Sequence, residues 1–128
     1  MTAAVAAGGV VGATARWWVG TVVPHADGGV PWPTLIVNLV GCALLGVVAA
    51  GSRPGTVAWG FTATGALGGF TTMSSFAVEV DDLVAAGRLG LVALYVALTL
   101  VGGVGALVVA REAAGGDPGR TPPPEGVE

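Results

Sequence analysis

The sequence has 128 residues, of which 53% are hydrophobic and only 10% are charged, and its formal net charge is −3. An ordinary soluble domain carries roughly 25% charged residues, so these few charges cannot cover a soluble globule, and we expect the apolar residues to face lipid. The negative charge argues against nucleic-acid binding, and one cysteine with one histidine argues against a disulfide framework or a transition-metal site.

Four apolar stretches are each long enough to cross a bilayer, which needs about 20 helical residues. They cover residues 3–23, 33–50, 57–76 and 89–110, and Arg16 is the one charged residue within them. We therefore predict an all-α membrane domain over residues 1–110 with four transmembrane helices. The glycine- and proline-rich residues 111–128 are expected to form a disordered polar tail. Because no basic segment precedes the first stretch, we do not interpret it as a cleaved signal peptide.

Positive charges give only a weak signal for the orientation of these spans. Arg53 and Arg111 would lie on the side of the amino terminus, whereas Arg88 would lie on the other side. The orientation of membrane spans follows an excess of basic residues in the cytoplasmic loops. Two arginines on one side against one on the other is too small an excess to set it. Insertion in both orientations therefore stays open.

The first stretch places Gly8, Gly12, Arg16 and Gly20 on one helical face, because they recur every four residues. Small residues at this spacing let helices approach closely in lipid, so we expect the glycines to pack. A cation within a span is costly and faces protein or water. Arg16 could therefore either attract an anion or anchor the structure.

Polar residues in the second and third stretches are candidates for a pathway through the membrane. The amide of Asn38 could form an interhelical hydrogen bond or line a pore. In the third stretch, Gly68 and Gly69 precede Thr71 and Thr72 near the middle of the membrane, and paired glycines beside paired threonines make a poor continuous helix. We expect a break that lines a cavity, with exposed carbonyl groups able to coordinate a cation; a glycine packing face is the alternative.

The remaining polar residues give weaker signals. Tyr95 and Thr99 share a face of the fourth stretch, where packing is the more common role, and Glu79 follows the third stretch as an interfacial carboxylate. His25 and Asp27 lie in a connecting loop, away from the centre of any span. Since no nucleophile is paired with a base, we do not expect an enzyme.

The sequence resembles the CrcB/Fluc fluoride channels over all four stretches, roughly residues 8 to 105. The resemblance rests on the segments GGVVGATAR, PTLIVNLVG and GALGGFTTMSSFAVE and on the pair Tyr95 and Thr99. It implies a passive channel that exports cytosolic fluoride through the cell membrane of a bacterium. It also implies an antiparallel, dual-topology dimer of four-helix subunits, in which the third helix is broken and both subunits line each pore.

Carried over position by position, the resemblance implies roles for ten residues of this chain, besides Met73. Asn38 and the hydroxyl groups of Ser74, Ser75 and Thr99 would line the fluoride pore. Phe76 would contribute an aromatic ring edge, with Tyr95 close to it, whereas Glu79 and Arg16 match an acidic and a basic signature position. The main-chain carbonyl groups of Gly68 and Thr71 would hold a structural sodium ion at the two-fold axis of the dimer.

Met73 is the main departure from the family pattern, which usually has phenylalanine at this position. A thioether is polarisable but has no aromatic edge. The partner of this chain is therefore either a second copy, in an antiparallel homodimer, or a homologous chain, in a heterodimer. Membrane lipid would surround the dimer in both cases.

Two other functions have the same size and helix count. A small dual-topology multidrug/proton antiporter needs a membrane-embedded carboxylate, where the first span has Arg16 instead. A non-transporting assembly subunit would use the glycine faces for packing alone. Fluoride flux from loaded liposomes distinguishes all three.

Overall fold

In a computed structural model, residues 1–24 and 28–115 are described, and these residues are helical apart from short connections. The helices are α1 (Thr2–Val22), α2 (Trp32–Gly51), α3 (a run of Val57–Trp59, a π-helical Gly60–Leu67 and Gly68–Phe70), α4 (Met73–Ala85) and α5 (Leu89–Ala113). The all-α expectation is confirmed, and each predicted apolar stretch contributes a helix. His25, Asp27 and the greater part of the predicted tail, from residue 116 onwards, lie outside the described residues.

Two of the described helices, α2 and α5, are long and apolar enough to cross a membrane. Only 28% of the most apolar window of α2 and 11% of that of α5 are buried within the chain. The core helix of a soluble protein would be mostly buried, so these exposed apolar faces need lipid or another protein surface.

The helix α4 extends beyond Phe76, where the third stretch is predicted to end, to Ala85. Phe76 and Leu83 are buried and Val80 packs against the same cluster, so the three form one helical face. The sequence predicts that the connection over residues 77–88 holds a short amphipathic turn, and the structure instead continues the helix through most of it. The helix ends where Gly87 adopts a positive φ of 70°, as in many helix C-termini.

Glycine residues bring α1 and α3 into direct backbone contact. Gly8 and Gly12 are buried, which confirms the predicted packing face for these two. On the α3 side, a Cβ atom at Gly69 would lie 2.6 Å from the carbonyl oxygen of Gly9. Gly20 is exposed and has open space around it, so the predicted face does not extend that far.

The helix α2 makes an equally close contact with α5 and completes the core. A Cβ atom at Gly46 would overlap the backbone of Leu107, and one at Gly103 would lie 3.2 Å from the Cys42 sulfur. The buried hydrophobic cluster lies where α2, α4 and α5 meet, and its members are Leu35, Phe76, Leu83 and Tyr95. This packing fixes the polar residues of the same three helices relative to one another.

We expect Gly12→Ala to destabilise the protein, because the added Cβ would overlap the carbonyl of Ala66 and lie 2.7 Å from the Phe70 nitrogen. Overpacking of this kind costs about 1–3 kcal/mol. Gly20→Ala is the matched control in the same helix, and it should be neutral or slightly stabilising. Thermal unfolding in detergent, followed by circular dichroism, compares the two variants. Equal midpoints would contradict the close approach of α1 and α3.

Candidate functional site

The polar site is built around Thr71 and Thr72, whose backbone is extended between two helices. Helix α3 ends at Phe70 and α4 begins at Met73. Thr72 has φ −144° and ψ 121°, and its hydroxyl group accepts a hydrogen bond from the Ser75 N–H at 3.2 Å, which caps α4. Because Thr72 is also buried, its N–H needs a partner from outside the two helices, whereas its C=O, as that of an N-cap residue, already accepts the first bond of α4.

Asn38, from α2, forms hydrogen bonds with both of these groups. The Thr72 N–H donates to Oδ1 of Asn38 at 2.9 Å, and Nδ2 of Asn38 donates to the Thr72 carbonyl at 3.1 Å. In a continuous helix the Thr72 N–H would instead bond to the carbonyl of Gly68. Asn38 thus forms an interhelical contact, and its second amide N–H is available for a further partner.

Arg16 contacts the other residue of the extended pair. Its Nη1 atom, from α1, donates a hydrogen bond of 3.0 Å to the carbonyl oxygen of Thr71. Arg16 is half-buried, in keeping with a cation that faces protein and not lipid. The guanidinium group has five N–H donors, so this contact leaves others free to face an anion.

Glu79 joins three helices through its two carboxylate oxygens. The Thr34 hydroxyl group donates to Oε1 and the Tyr95 hydroxyl group donates to Oε2, both at 2.6 Å. Tyr95 is fully buried, and its ring lies 5.1 Å from that of Phe76, tilted by 45°. The sequence analysis predicts that Tyr95 lies close to Phe76, but it does not predict the contact between Thr34 and Glu79. The signal for Thr34 is its position four residues before Asn38, on the same face of α2.

Two clefts border this site and share Thr72. The polar cleft, of about 190 Å³, is lined by Arg16, Gly20, Pro33, Thr34, Val37, Thr72, Ser75 and Glu79. The large cleft, of about 420 Å³, includes Asn38, Cys42, Gly68, Thr71, Thr72, Met73 and Thr99 in its lining. The residues that line the large cleft bear no side-chain charge, so it offers only neutral hydrogen-bonding groups.

The other predicted pore residues differ in their surroundings. The Oγ1 atom of Thr99 is buried and has no hydrogen-bond partner among the described residues. The Ser75 hydroxyl group accepts a hydrogen bond from Thr72 Oγ1 at 3.1 Å. Ser74 and Met73 are exposed, with Met73 at 74% of its surface, so both lie at the edge of the single chain.

The predicted sodium ligands have a donor chemistry that fits a hard cation. The Gly68 carbonyl lacks its usual helical partner because the Thr72 N–H is bonded to Asn38. The Thr71 carbonyl accepts from Arg16, and an oxygen with two lone pairs can accept once more. Neutral carbonyl groups freed from a helix are typical sodium ligands in membrane proteins. Within residues 1–24 and 28–115, no group of His, Cys, Asp and Glu side chains could hold a metal.

Comparison with known proteins finds one family for most of the chain. The model of the CrcB-like, camphor-resistance (CrcB) family matches residues 3–111. A fluoride-specific ion channel of Rhodospirillum centenum is 43% identical over 112 residues, which are 84% of this chain and 89% of the relative. One from Streptomyces avermitilis is 43% identical over 78% of this chain and 66% of its own length, and one from Chlorobium phaeobacteroides is 41% identical over 78% and 81%.

Proposed function

The chain belongs to the CrcB family, and on that premise we propose that it is a fluoride-selective ion channel through which cytosolic fluoride leaves the cell. The observation that carries the proposal is the pair of clefts that both have Thr72 in their lining, one of them lined by neutral groups alone. Relatives named as fluoride-specific channels supply the identity of the ion.

Neutral donors suit the passage of a small, strongly hydrated anion. The amide of Asn38 and the hydroxyl groups of Ser74, Ser75 and Thr99 would replace water around fluoride. A row of buried cations would bind the ion too tightly, and conduction requires that it also leave. A membrane potential that is negative inside favours exit by about 2.3 kcal/mol per charge per 100 mV. Export therefore needs neither ATP nor a proton gradient.

Charged and aromatic residues would act at the mouth and along the wall of the pathway. Arg16 lines the polar cleft and would attract fluoride from solution. Phe76 would present a ring edge, and its contact with Tyr95 fixes the orientation of that ring. Glu79 would hold Tyr95 in place through the hydrogen bond between them.

We propose that two antiparallel chains form the channel in the plasma membrane, with the third span broken at Thr71 and Thr72. The extended backbone of these two residues supports the break. The exposure of Met73, Ser74 and Gly68 supports a pathway completed by a second chain. The weak charge bias suits dual topology. The partner is a second copy or a homologous chain that supplies the aromatic residue absent at Met73.

A structural sodium ion is proposed at the carbonyl groups of Gly68 and Thr71. Such an ion would neutralise the carbonyl dipoles that the break leaves without helical partners. Gly68 is exposed on the single chain, which supports a position at the contact between two chains.

The other two functions have less support from the site. A multidrug/proton antiporter needs a carboxylate that is free to exchange a proton for a cationic substrate. The nearest candidate, Glu79, already accepts hydrogen bonds from Thr34 and Tyr95. An assembly subunit does not need polar groups in its clefts.

Fluoride efflux from proteoliposomes tests the proposed function. Vesicles loaded with potassium fluoride and containing the purified chain should release fluoride when valinomycin allows potassium to leave. Protein-free vesicles are the control for leakage. Absence of fluoride efflux from vesicles that contain folded protein, alone and with a homologous chain, would contradict the proposal.

A further inference from the structure

We propose that Asn38 is a positioning residue, whose amide holds the Thr72 backbone out of the helix and thereby keeps the Gly68 carbonyl free. This role is separate from any contact between Asn38 and fluoride. The proposal deepens the function proposed above and rests on it only for the consequence in fluoride flux. The conformational part of the proposal, that Asn38 keeps Thr72 extended, depends only on the geometry of Asn38, Thr72 and Gly68.

The contact has the form of a two-point clamp. Asn38 uses its oxygen for the Thr72 N–H and its nitrogen for the Thr72 carbonyl, at 2.9 and 3.1 Å. A side-chain amide reproduces here what a neighbouring strand would offer to an extended residue. Since Thr72 is buried, water is a poor substitute for either partner.

Without the amide, the Thr72 N–H has a competing acceptor in the Gly68 carbonyl. Helix α3 already extends to Phe70, and the Thr71 N–H bonds to the Leu67 carbonyl at 3.0 Å. One more bond of the same kind, from Thr72 to Gly68, would lengthen α3 by a residue. Asn38 removes that option by occupying the Thr72 N–H.

A second clamp acts on the adjacent residue. Arg16 donates to the Thr71 carbonyl at 3.0 Å, and it belongs to α1 whereas Asn38 belongs to α2. Two helices thus hold the peptide group that joins Thr71 to Thr72, α1 through its C=O and α2 through its N–H. The Gly68 carbonyl that Asn38 frees belongs to a residue that lines the large cleft. Loss of Asn38 would therefore change the cleft as well as remove a donor.

The sequence allows this local geometry to be observed directly. Thr71 and Thr72 are the one place in the chain where two threonines are adjacent. Protein labelled with ¹³C-carbonyl and ¹⁵N threonine in lipid therefore gives a single sequential carbonyl–nitrogen correlation in solid-state NMR. Its carbonyl shift reports whether Thr71 is extended or helical, and its nitrogen is the atom that donates to Asn38.

Variants at Asn38 test the clamp against a control in the same cleft. Asn38→Leu and Asn38→Ala should move the Thr71 carbonyl shift from an extended to a helical value. If Asn38→Leu does not fold, the measurement on Asn38→Ala still tests the clamp. Thr99→Val should leave the shift unchanged, because Thr99 lines the same large cleft but its hydroxyl group has no hydrogen-bond partner among the described residues.

Asn38→Asp gives a rescue test. A protonated carboxylic acid offers one donor and one acceptor, as an amide does, whereas the ionised form offers acceptors only. Because either form of the carboxyl group can accept from the Thr72 N–H, the extended Thr71 shift should be retained in Asn38→Asp at about pH 4 and at about pH 8, and its loss at both would contradict the clamp. The charged groups that line the polar cleft with Thr72 are Arg16 and Glu79, and wild-type protein at both pH values controls for them.

Fluoride efflux from the same preparations distinguishes a failure of the clamp from a failure of the proposed channel function. The clamp predicts that Asn38→Leu and Asn38→Ala lose efflux together with the extended Thr71 signal. Unchanged Thr71 shifts in both variants would overturn the clamp, whether or not efflux is lost. If wild-type protein carries no fluoride, the proposed function fails, while the shifts still decide whether Asn38 positions Thr72.

Discussion

Replacing Glu79 by alanine is expected to abolish most fluoride efflux and to destabilise the protein. The change leaves two buried hydroxyl groups, those of Thr34 and Tyr95, without their acceptor. A buried donor without a partner costs about 1–3 kcal/mol, so we expect a loss of roughly 2–6 kcal/mol of stability. Tyr95 also contacts Phe76, so the effect should extend to the proposed pore wall.

Two control variants separate the hydrogen bonds from the charge. Asp81→Asn removes one negative charge from the same helix at an exposed position, and it should leave efflux and stability close to wild type. Glu79→Gln keeps one oxygen acceptor and should retain more stability than Glu79→Ala. Efflux from proteoliposomes and thermal unfolding in detergent provide the two readouts. If Glu79→Ala transports fluoride at the wild-type rate, the three-helix contact has no role in conduction.

The helices were largely predictable because apolar length and glycine spacing are local properties. The pattern at Gly8 and Gly12 identifies a packing face from the first stretch alone, and the structure confirms it. The threonine pair after Gly68 and Gly69 indicates an unfavourable place for a helix, and the backbone of Thr71 and Thr72 is extended there. Each of these signals lies within about a dozen residues of sequence.

The partners within the site were not predictable in the same way. Asn38 is 34 residues from Thr72, and Thr34 is 45 residues from Glu79. Nothing in the period of a helix shows which distant backbone group an amide or a hydroxyl group will meet. The amphipathic character of the segment after Phe76 was predictable as a short turn, but its length was not, because the packing of Phe76 and Leu83 against other helices extends it to Ala85.

Permeation is expected to favour fluoride over chloride by at least about a hundredfold, an order-of-magnitude figure based on dehydration and donor matching. The large cleft is lined by neutral groups, and the buried Thr99 Oγ1 atom has no partner among the described residues. Short O–H and N–H contacts compensate a small anion for its lost water better than they compensate a large one. Paired efflux measurements with fluoride and with chloride give the ratio.

The hydroxyl group of Thr99 is the sharpest test of that selectivity. Thr99→Val keeps the side-chain shape but removes the donor, so fluoride efflux should fall and chloride leakage should stay the same. Because the hydroxyl group is buried without a partner, its removal should not destabilise the protein. Thr62→Val is the matched control, since the Thr62 hydroxyl group already donates to the Ala58 carbonyl at 2.7 Å. Equal fluoride-to-chloride ratios in the two variants would exclude Thr99 from the selective pathway.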